Sequence, residues 1–164
     1  MATLIIYYSQ GGSTELVAKT LAENLNASLV RIHDLKNRKG FKNKLLSSIN
    51  AFRETKTDIL PVKVDLSEYD TVYIGSPTWA GNPTPAIITI IDRCNFAGKD
   101  AVLFATMDSN RGDTNLARLE EKVKLRGARV IESFAISTKN KSPEEIVRDT
   151  EAVIEMKDLK MYKR

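Results

Sequence analysis

Thr3 to Tyr8 reads Thr-Leu-Ile-Ile-Tyr-Tyr, an apolar run that does not alternate with polar residues and that ends abruptly in Ser9-Gln10-Gly11-Gly12. A strand with one wet face shows period-two alternation, so a run without it is covered on both sides. That condition is met almost only in sheets whose strands are joined by helices lying on both faces. The segment that follows agrees: from Ser13 to Asn26 the residues Leu16, Val17, Thr20, Leu21 and Leu25 recur on one helical face, with Glu15 early, where the helix dipole favours an acid.

The same couplet repeats along the chain. Further strands are expected at Ser28 to His33, Asp70 to Ser76, Asp100 to Thr106 and Arg129 to Ile136, which makes five with the first. The helices between and after them are expected at Thr84 to Cys94, at 114 to 126 with Gly127 as its stop, and at Ser142 to Met156. Ser142-Pro143-Glu144-Glu145 is a strong helix start: a capping hydroxyl, proline at the first helical position and two carboxylates at the positive end. A further helix is expected in the link from 34 to 60, where Phe41, Leu45, Ile49 and Phe52 recur at helical spacing. Five strands alternating with helices predict an α/β three-layer sandwich around a parallel sheet, in one domain spanning 1 to 164. The long second link fits the order 2-1-3-4-5, in which the chain crosses back over strand 1 to reach strand 3.

In such a sheet a ligand sits beyond the carboxyl ends of the strands where the order reverses, here between strands 1 and 3. The loop after strand 1, Ser9-Gln10-Gly11-Gly12-Ser13-Thr14, enters a helix N-terminus with two glycines and three hydroxyls. It reads as an anion cradle of backbone N–H groups and neutral donors without a cation. It has neither the Gly-Lys-Ser/Thr of a nucleoside-triphosphate loop nor a Gly-x-Gly-x-x-Gly fingerprint. The loop after strand 3 runs Gly75-Ser76-Pro77-Thr78-Trp79-Ala80-Gly81-Asn82-Pro83 and carries the single tryptophan between prolines. A stiffly presented indole suits stacking on a flat heteroaromatic ring, and a tryptophan of the core is the plain alternative. The third loop, Met107-Asp108-Ser109-Asn110-Arg111-Gly112-Asp113, borders the same crevice and contains no aromatic.

Together these segments resemble the flavodoxin family over essentially the whole chain. Ser9, Gly12 and Thr14 match its Ser/Thr-x-Thr-Gly-x-Thr phosphate loop, with Gly11 where a threonine is usual. Gly-Ser-Pro-Thr-Trp-Ala-Gly is similar to its Gly-x-Pro-x-aromatic loop. The resemblance implies a flavodoxin-like fold and FMN as cofactor. The site residues it implies are Ser9, Gln10, Gly11, Gly12, Ser13 and Thr14 for the phosphate, and Pro77, Thr78, Trp79, Ala80, Gly81, Asn82, Met107, Asp108 and Ser109 around the ring. Met107 stands where doubly stacked members place a second aromatic. The chain departs from dedicated acidic carriers in its charge, which is +4.

That charge is uneven. Arg31 to Lys63 carries nine Lys or Arg against Asp34, Glu54 and Asp58, a local +6. The stretch is expected either to be solvated surface or to dock an acidic redox partner. No recognised nucleic-acid motif accompanies it, so nucleic-acid binding is not expected. One cysteine, Cys94, and one histidine, His33, leave no basis for a disulfide framework or a protein-built metal site, and both are read as structural. No apolar run approaches the roughly 18 residues of a membrane span, and the chain reads as cytoplasmic. The expected function is FMN-dependent electron transfer between redox proteins. The alternatives are an FMN-dependent NAD(P)H:quinone-type oxidoreductase and a flavin-free binding domain of the same fold. A phosphoacceptor receiver is disfavoured, because Tyr7-Tyr8-Ser9 stands where Mg²⁺ would need acids.

Overall fold

The computed structural model describes residues 2–36, 56–108 and 110–163. The first strand, β1 (Thr3–Tyr7), has all five residues buried and lies inside the sheet, between β2 (Ser28–Arg31) and β5 (Thr71–Pro77). Beyond β5 lie β6 (Asp100–Met107) and β7 (Arg129–Ser137), all parallel, in the order β2-β1-β5-β6-β7. With the five sheet strands counted alone this is the expected 2-1-3-4-5, and the reversal falls between β1 and β5.

Non-alternation in the sequence becomes alternation between two cores. Leu4, Ile6 and Tyr8 point to one face, with Ile87, Ile90 and Ile91 of α2 (Pro85–Asp92) and Leu119 and Val123 of α3 (Gly112–Leu125). Ile5 and Tyr7 point to the other, with Val17 and Leu21 of α1 (Ser13–Leu25) and Ile146 and Ile154 of α4 (Pro143–Met156). The three inner strands β1, β5 and β6 thus bury both faces, and the hydrophobic stabilisation of the two layers passes through the same backbone. The start signal of α4 is realised as a full capping box: Ser142 Oγ accepts from the Glu145 N–H, and the Glu145 carboxylate accepts from the Ser142 N–H. Cys94 is buried, with its thiol against the Val64 carbonyl, and burial pushes the thiol up from its ordinary pKa.

One strand expectation is corrected. The second strand does not run on to His33. Ile32 still donates to Tyr7 O, but its side chain is buried in the core beside Ile59. The chain then leaves the sheet edge as β3 (His33–Asp34), pairing antiparallel with β4 (Ile59–Leu60). An edge strand has one neighbour to hold it, and burying two isoleucines outweighs two more ladder bonds. The helix expected around Phe41 to Phe52 lies outside the described residues. Among the described residues, no helix is long and apolar enough to cross a membrane.

Candidate functional site

The loop between β1 and α1 is shaped by its own first residue. Ser9 is buried and its Oγ accepts from the Gly12 N–H at 3.1 Å, curling the chain into the helix. Gly12 caps α1 with φ at 96°, in the left-handed region where a side chain is strained, and it offers no side-chain cap. The first-turn N–H groups of Ser13, Thr14 and Glu15 are therefore left to an external acceptor, at the positive end of the helix dipole. Gln10, Gly11 and Gly12 are exposed, and a Cβ built on either glycine would meet nothing within 4 Å. The space above the loop is open. Uncapped amides, hydroxyls and open space fit a phosphate ester.

Behind this loop stands a cation that the sequence reading lacked. Arg31, the last residue of β2, donates through Nη2 to the Ser9 carbonyl at 3.0 Å and through Nη1 to the Glu15 carboxylate. Lys19 reaches the other oxygen of Glu15 at 2.8 Å. The Lys19 hydrogen bond, ahead of the nearby charge of Arg31, holds the Glu15 carboxyl below its ordinary pKa. Arg31 thus braces the back of the cradle while Glu15 offsets its charge, so the face open to a ligand still consists of neutral donors.

Thr14 faces inward, 2% exposed, and its hydroxyl shares a hydrogen bond of 2.6 Å with that of Thr106 near the end of β6. One of the two hydroxyl protons remains for another acceptor. The Thr106 carbonyl in turn accepts from the Thr78 N–H at 2.9 Å. A single residue of β6 therefore ties the first loop to the second.

The second loop is held from beneath by buried polar groups. Ser76 Oγ accepts from the Thr84 N–H at 3.0 Å. Asn115, wholly buried in the first turns of α3, donates through Nδ2 to Thr78 Oγ1 at 2.9 Å and to the Pro77 carbonyl at 3.2 Å. Its Oδ1 is buried without a hydrogen-bond partner. Trp79 and Asn82 exchange two backbone hydrogen bonds of 2.9 Å around Ala80 and Gly81, whose φ values of 51° and 79° make a tight turn of the left-handed kind.

The tryptophan is less presented than expected. Trp79 is 7% exposed and meets Tyr8 edge to face, ring centroids 5.8 Å apart at 88°. Tyr8 follows β1 and Trp79 follows β5, so the pair closes the top of the core across the switch point. It forms a wall of the crevice instead of a free plate, because the indole's area is worth more buried than wet.

In the third loop Met107 Sδ lies beside Gly112, the first residue of α3, where a Cβ on that glycine would stand 2.7 Å away. Successive residues of a strand face opposite sides, and Thr106 already faces Thr14. Asp108 is exposed at the rim, and Ser109 lies outside the described residues. The side chain that does reach across is Arg111, whose guanidinium rests on Gly81. In the sequence Arg31 stands out only as part of the basic stretch and Arg111 only as part of the third loop, and neither Thr106 nor Asn115 stands out as a site residue. The only signals were a Thr and an Arg at strand ends on the carboxyl side, and a polar residue facing inward from a helix.

Among the described residues no cluster of His, Cys, Asp and Glu could hold a metal ion. No curated protein matches the chain. In solved structures it is similar to a candidate flavoprotein from Bacteroides uniformis ATCC 8492, at 25% identity over 92% of this chain and 97% of that one, TM-score 0.76. It is also similar to a flavoprotein from Lactobacillus acidophilus NCFM solved in complex with FMN, at 25% identity over 82% and 92%, TM-score 0.69. Oxidised flavodoxin 1 from Bacillus cereus shares the fold at 19% identity over 94% and 98%, TM-score 0.56. The family model described as flavodoxin matches residues 2–141, and the chain belongs to the flavodoxin family.

Proposed function

We propose that the protein binds FMN and passes electrons between other redox proteins. The observation that carries this reading is the uncapped N-terminus of α1, lined by Ser9 and Thr14 and facing open space, set beside the braced turn of Trp79 to Asn82 at the sheet's switch point. Ser9 to Thr14 hold the phosphate through amides and hydroxyls. Pro77 to Asn82 flank the isoalloxazine, with Trp79 and Tyr8 as an apolar wall and Asp108 at the rim. Bound FMN supplies the redox chemistry, accepting and releasing electrons at its ring. The protein's part is to fix the group, limit water at one side of it and set the charge around it.

A second reading is favoured by one feature. Residues 107 to 113 contain no aromatic side chain, and Met107 is turned into α3, so the third loop brings no ring over the crevice. An uncovered flavin face admits a nicotinamide and a quinone, as an FMN-dependent NAD(P)H:quinone-type oxidoreductase needs. Absorption spectra and anaerobic rapid mixing separate the readings. A yellow protein whose flavin persists for many minutes with NADH or NADPH is a carrier, and one bleached within seconds is a reductase. A colourless protein that ignores added FMN refutes both.

The carrier reading gives the basic stretch a role as docking face for an acidic partner. Of its nine cations, Arg38, Lys39, Lys42, Lys44 and Arg53 lie outside the described residues, while Arg31 and Lys56 are already paired with Glu15 and Asp92. Electron transfer to such a partner slows as ionic strength rises. A rate flat from low to high salt returns the stretch to solvated surface.

A further inference from the structure

Arg111 is placed against the ordinary rule for its position. It stands at the N-cap of α3, the positive end of the helix, where the dipole disfavours a cation, and its side chain makes no capping hydrogen bond. It is exposed, and among the described residues it forms no ion pair or hydrogen bond through its side chain. Yet the guanidinium is not loose in solvent. It lies on the second loop so closely that a Cβ built on Gly81 would stand 2.9 Å from both Cζ and Nε and 3.0 Å from Nη2. Gly81 itself has φ at 79°, and the absence of a side chain there makes room for the cation. The helix dipole gives no reason for a cation at that point. A negative charge arriving beside the loop does.

We propose that Arg111 is the charge that sets the reduction potential of the bound flavin. The inference rests on the reading that FMN lies along Pro77 to Asn82. Oxidised FMN has a neutral ring. Taking up two electrons and one proton, supplied by a reduced redox protein or by dithionite in a titration, leaves a reduced ring with one negative charge. A guanidinium held against the loop that flanks the ring attracts that charge and leaves the oxidised ring nearly unaffected, so it acts on the difference between the two states. Asp108 and Asp113 carry the opposing charges of the third loop. Both are exposed, as Arg111 is, but the guanidinium is the one seated directly against the loop that flanks the ring. Arg31, the other nearby cation, is paired with Glu15 behind the first loop.

The test is a redox titration of FMN-loaded protein at low and high salt, in the wild type, Arg111→Gln and Arg111→Lys, with the binding constant of oxidised FMN measured alongside. In Arg111→Gln, oxidised FMN should bind within about twofold of wild type while the affinity for reduced FMN falls about tenfold, making the two-electron potential about 30 mV more negative. Lysine should retain most of the wild-type potential, and the gap between wild type and the glutamine variant should narrow in high salt. A glutamine variant with an unchanged potential overturns the inference and leaves FMN binding standing. So does a lysine variant that falls as far as glutamine, or a glutamine variant that loses oxidised FMN and apo-protein stability together. Wild-type protein that binds no FMN overturns the reading beneath the inference and the inference with it.

Discussion

Gly75 lies on β5 between Tyr7 of β1 and Phe104 of β6, directly below both loops of the site. A Cβ there would run into the Phe104 ring: Cε1 would stand 2.6 Å away, and Cζ and Cε2 would be closer still. Carbon atoms pack at about 3.5–4.0 Å, so Gly75→Ala asks the ring to retreat by roughly 1 Å or more. It has nowhere to go: Phe104 is 0% exposed and stacks on Phe134 at 5.8 Å and 13°. Overpacking a filled core costs roughly 1–3 kcal/mol, and a contact this short belongs at the top of that range or beyond it. For a domain of this size about 3 kcal/mol corresponds to a fall in Tm of roughly 6–12 °C.

The single tryptophan, buried in the folded protein, reports urea unfolding directly, and the slope of the transition should be unchanged. Phe104→Leu shortens the offending ring. Alone it should cost roughly 1–2 kcal/mol, but in the double variant the two losses should fall short of their sum by at least about 1 kcal/mol. A Gly75→Ala protein within about 0.5 kcal/mol of wild type, or strictly additive losses in the double variant, would refute the claim that the close approach of ring to backbone requires glycine at this position.

Two further outcomes are expected. Thr14→Val, which removes the hydroxyl shared with Thr106, should weaken FMN binding by roughly 1–3 kcal/mol and riboflavin binding far less; equal losses in fluorescence titrations would show that the loop does not hold the phosphate. Glu132 is held below its ordinary pKa, chiefly by the hydrogen bond from Lys157. A depressed carboxyl contributes stability that is present above its unfolded pKa and lost as pH falls through the folded value. The stability gap between wild type and Glu132→Gln should accordingly be full near neutrality and vanish as pH drops below about 4.3, and a gap that persists in acid would contradict it.

What the sequence made legible is what repeats along the chain. Leu4 to Tyr8 fails to alternate because each residue meets one of two helical layers, and the same failure marks Val72 to Ile74 and Ala101 to Ala105. Ser142 to Glu145 marks its helix start because capping is local chemistry. The glycines and hydroxyls of 9 to 14 are legible for the same reason. Arg31, Thr106, Asn115 and Arg111 are not local. Each acts on a loop contributed by another strand, and register decides which residue of a strand end points at which loop. Thr106 reaches Thr14 and Met107 turns away because the bond falls on one parity of β6 and not the other. A loop tryptophan between prolines looks presented, and nothing local chooses between a stacking plate and a tryptophan of the core. Its partner Tyr8 belongs to a run that reads wholly as strand, so the aromatic pair across the switch point had no signature in either segment.

The two loops divide the work of binding in a way that can be measured. A phosphate keeps its charge whichever way the ring is poised, so whatever the first loop contributes is the same for oxidised and reduced FMN. Uniform binding of this kind raises affinity and cannot move a potential; only a group that distinguishes the two states does that. Thr14→Val should therefore lower the affinities of both states by one common factor and leave the potential where it was, whereas Arg111→Gln should do the reverse. Thr106 is a hydrogen-bonded route by which the loops could speak to each other, its hydroxyl bonded to Thr14 and its carbonyl to the Thr78 N–H, beside the Tyr8–Trp79 ring contact at their bases. That carbonyl bond is to backbone and survives either substitution. The Thr14→Val, Arg111→Gln double variant should then show the affinity loss of the first and the potential of the second, additive to within about 0.5 kcal/mol. A potential that shifts with Thr14→Val alone would mean that the cradle and the ring site move together, and that Thr106 carries strain between them instead of merely bracing both.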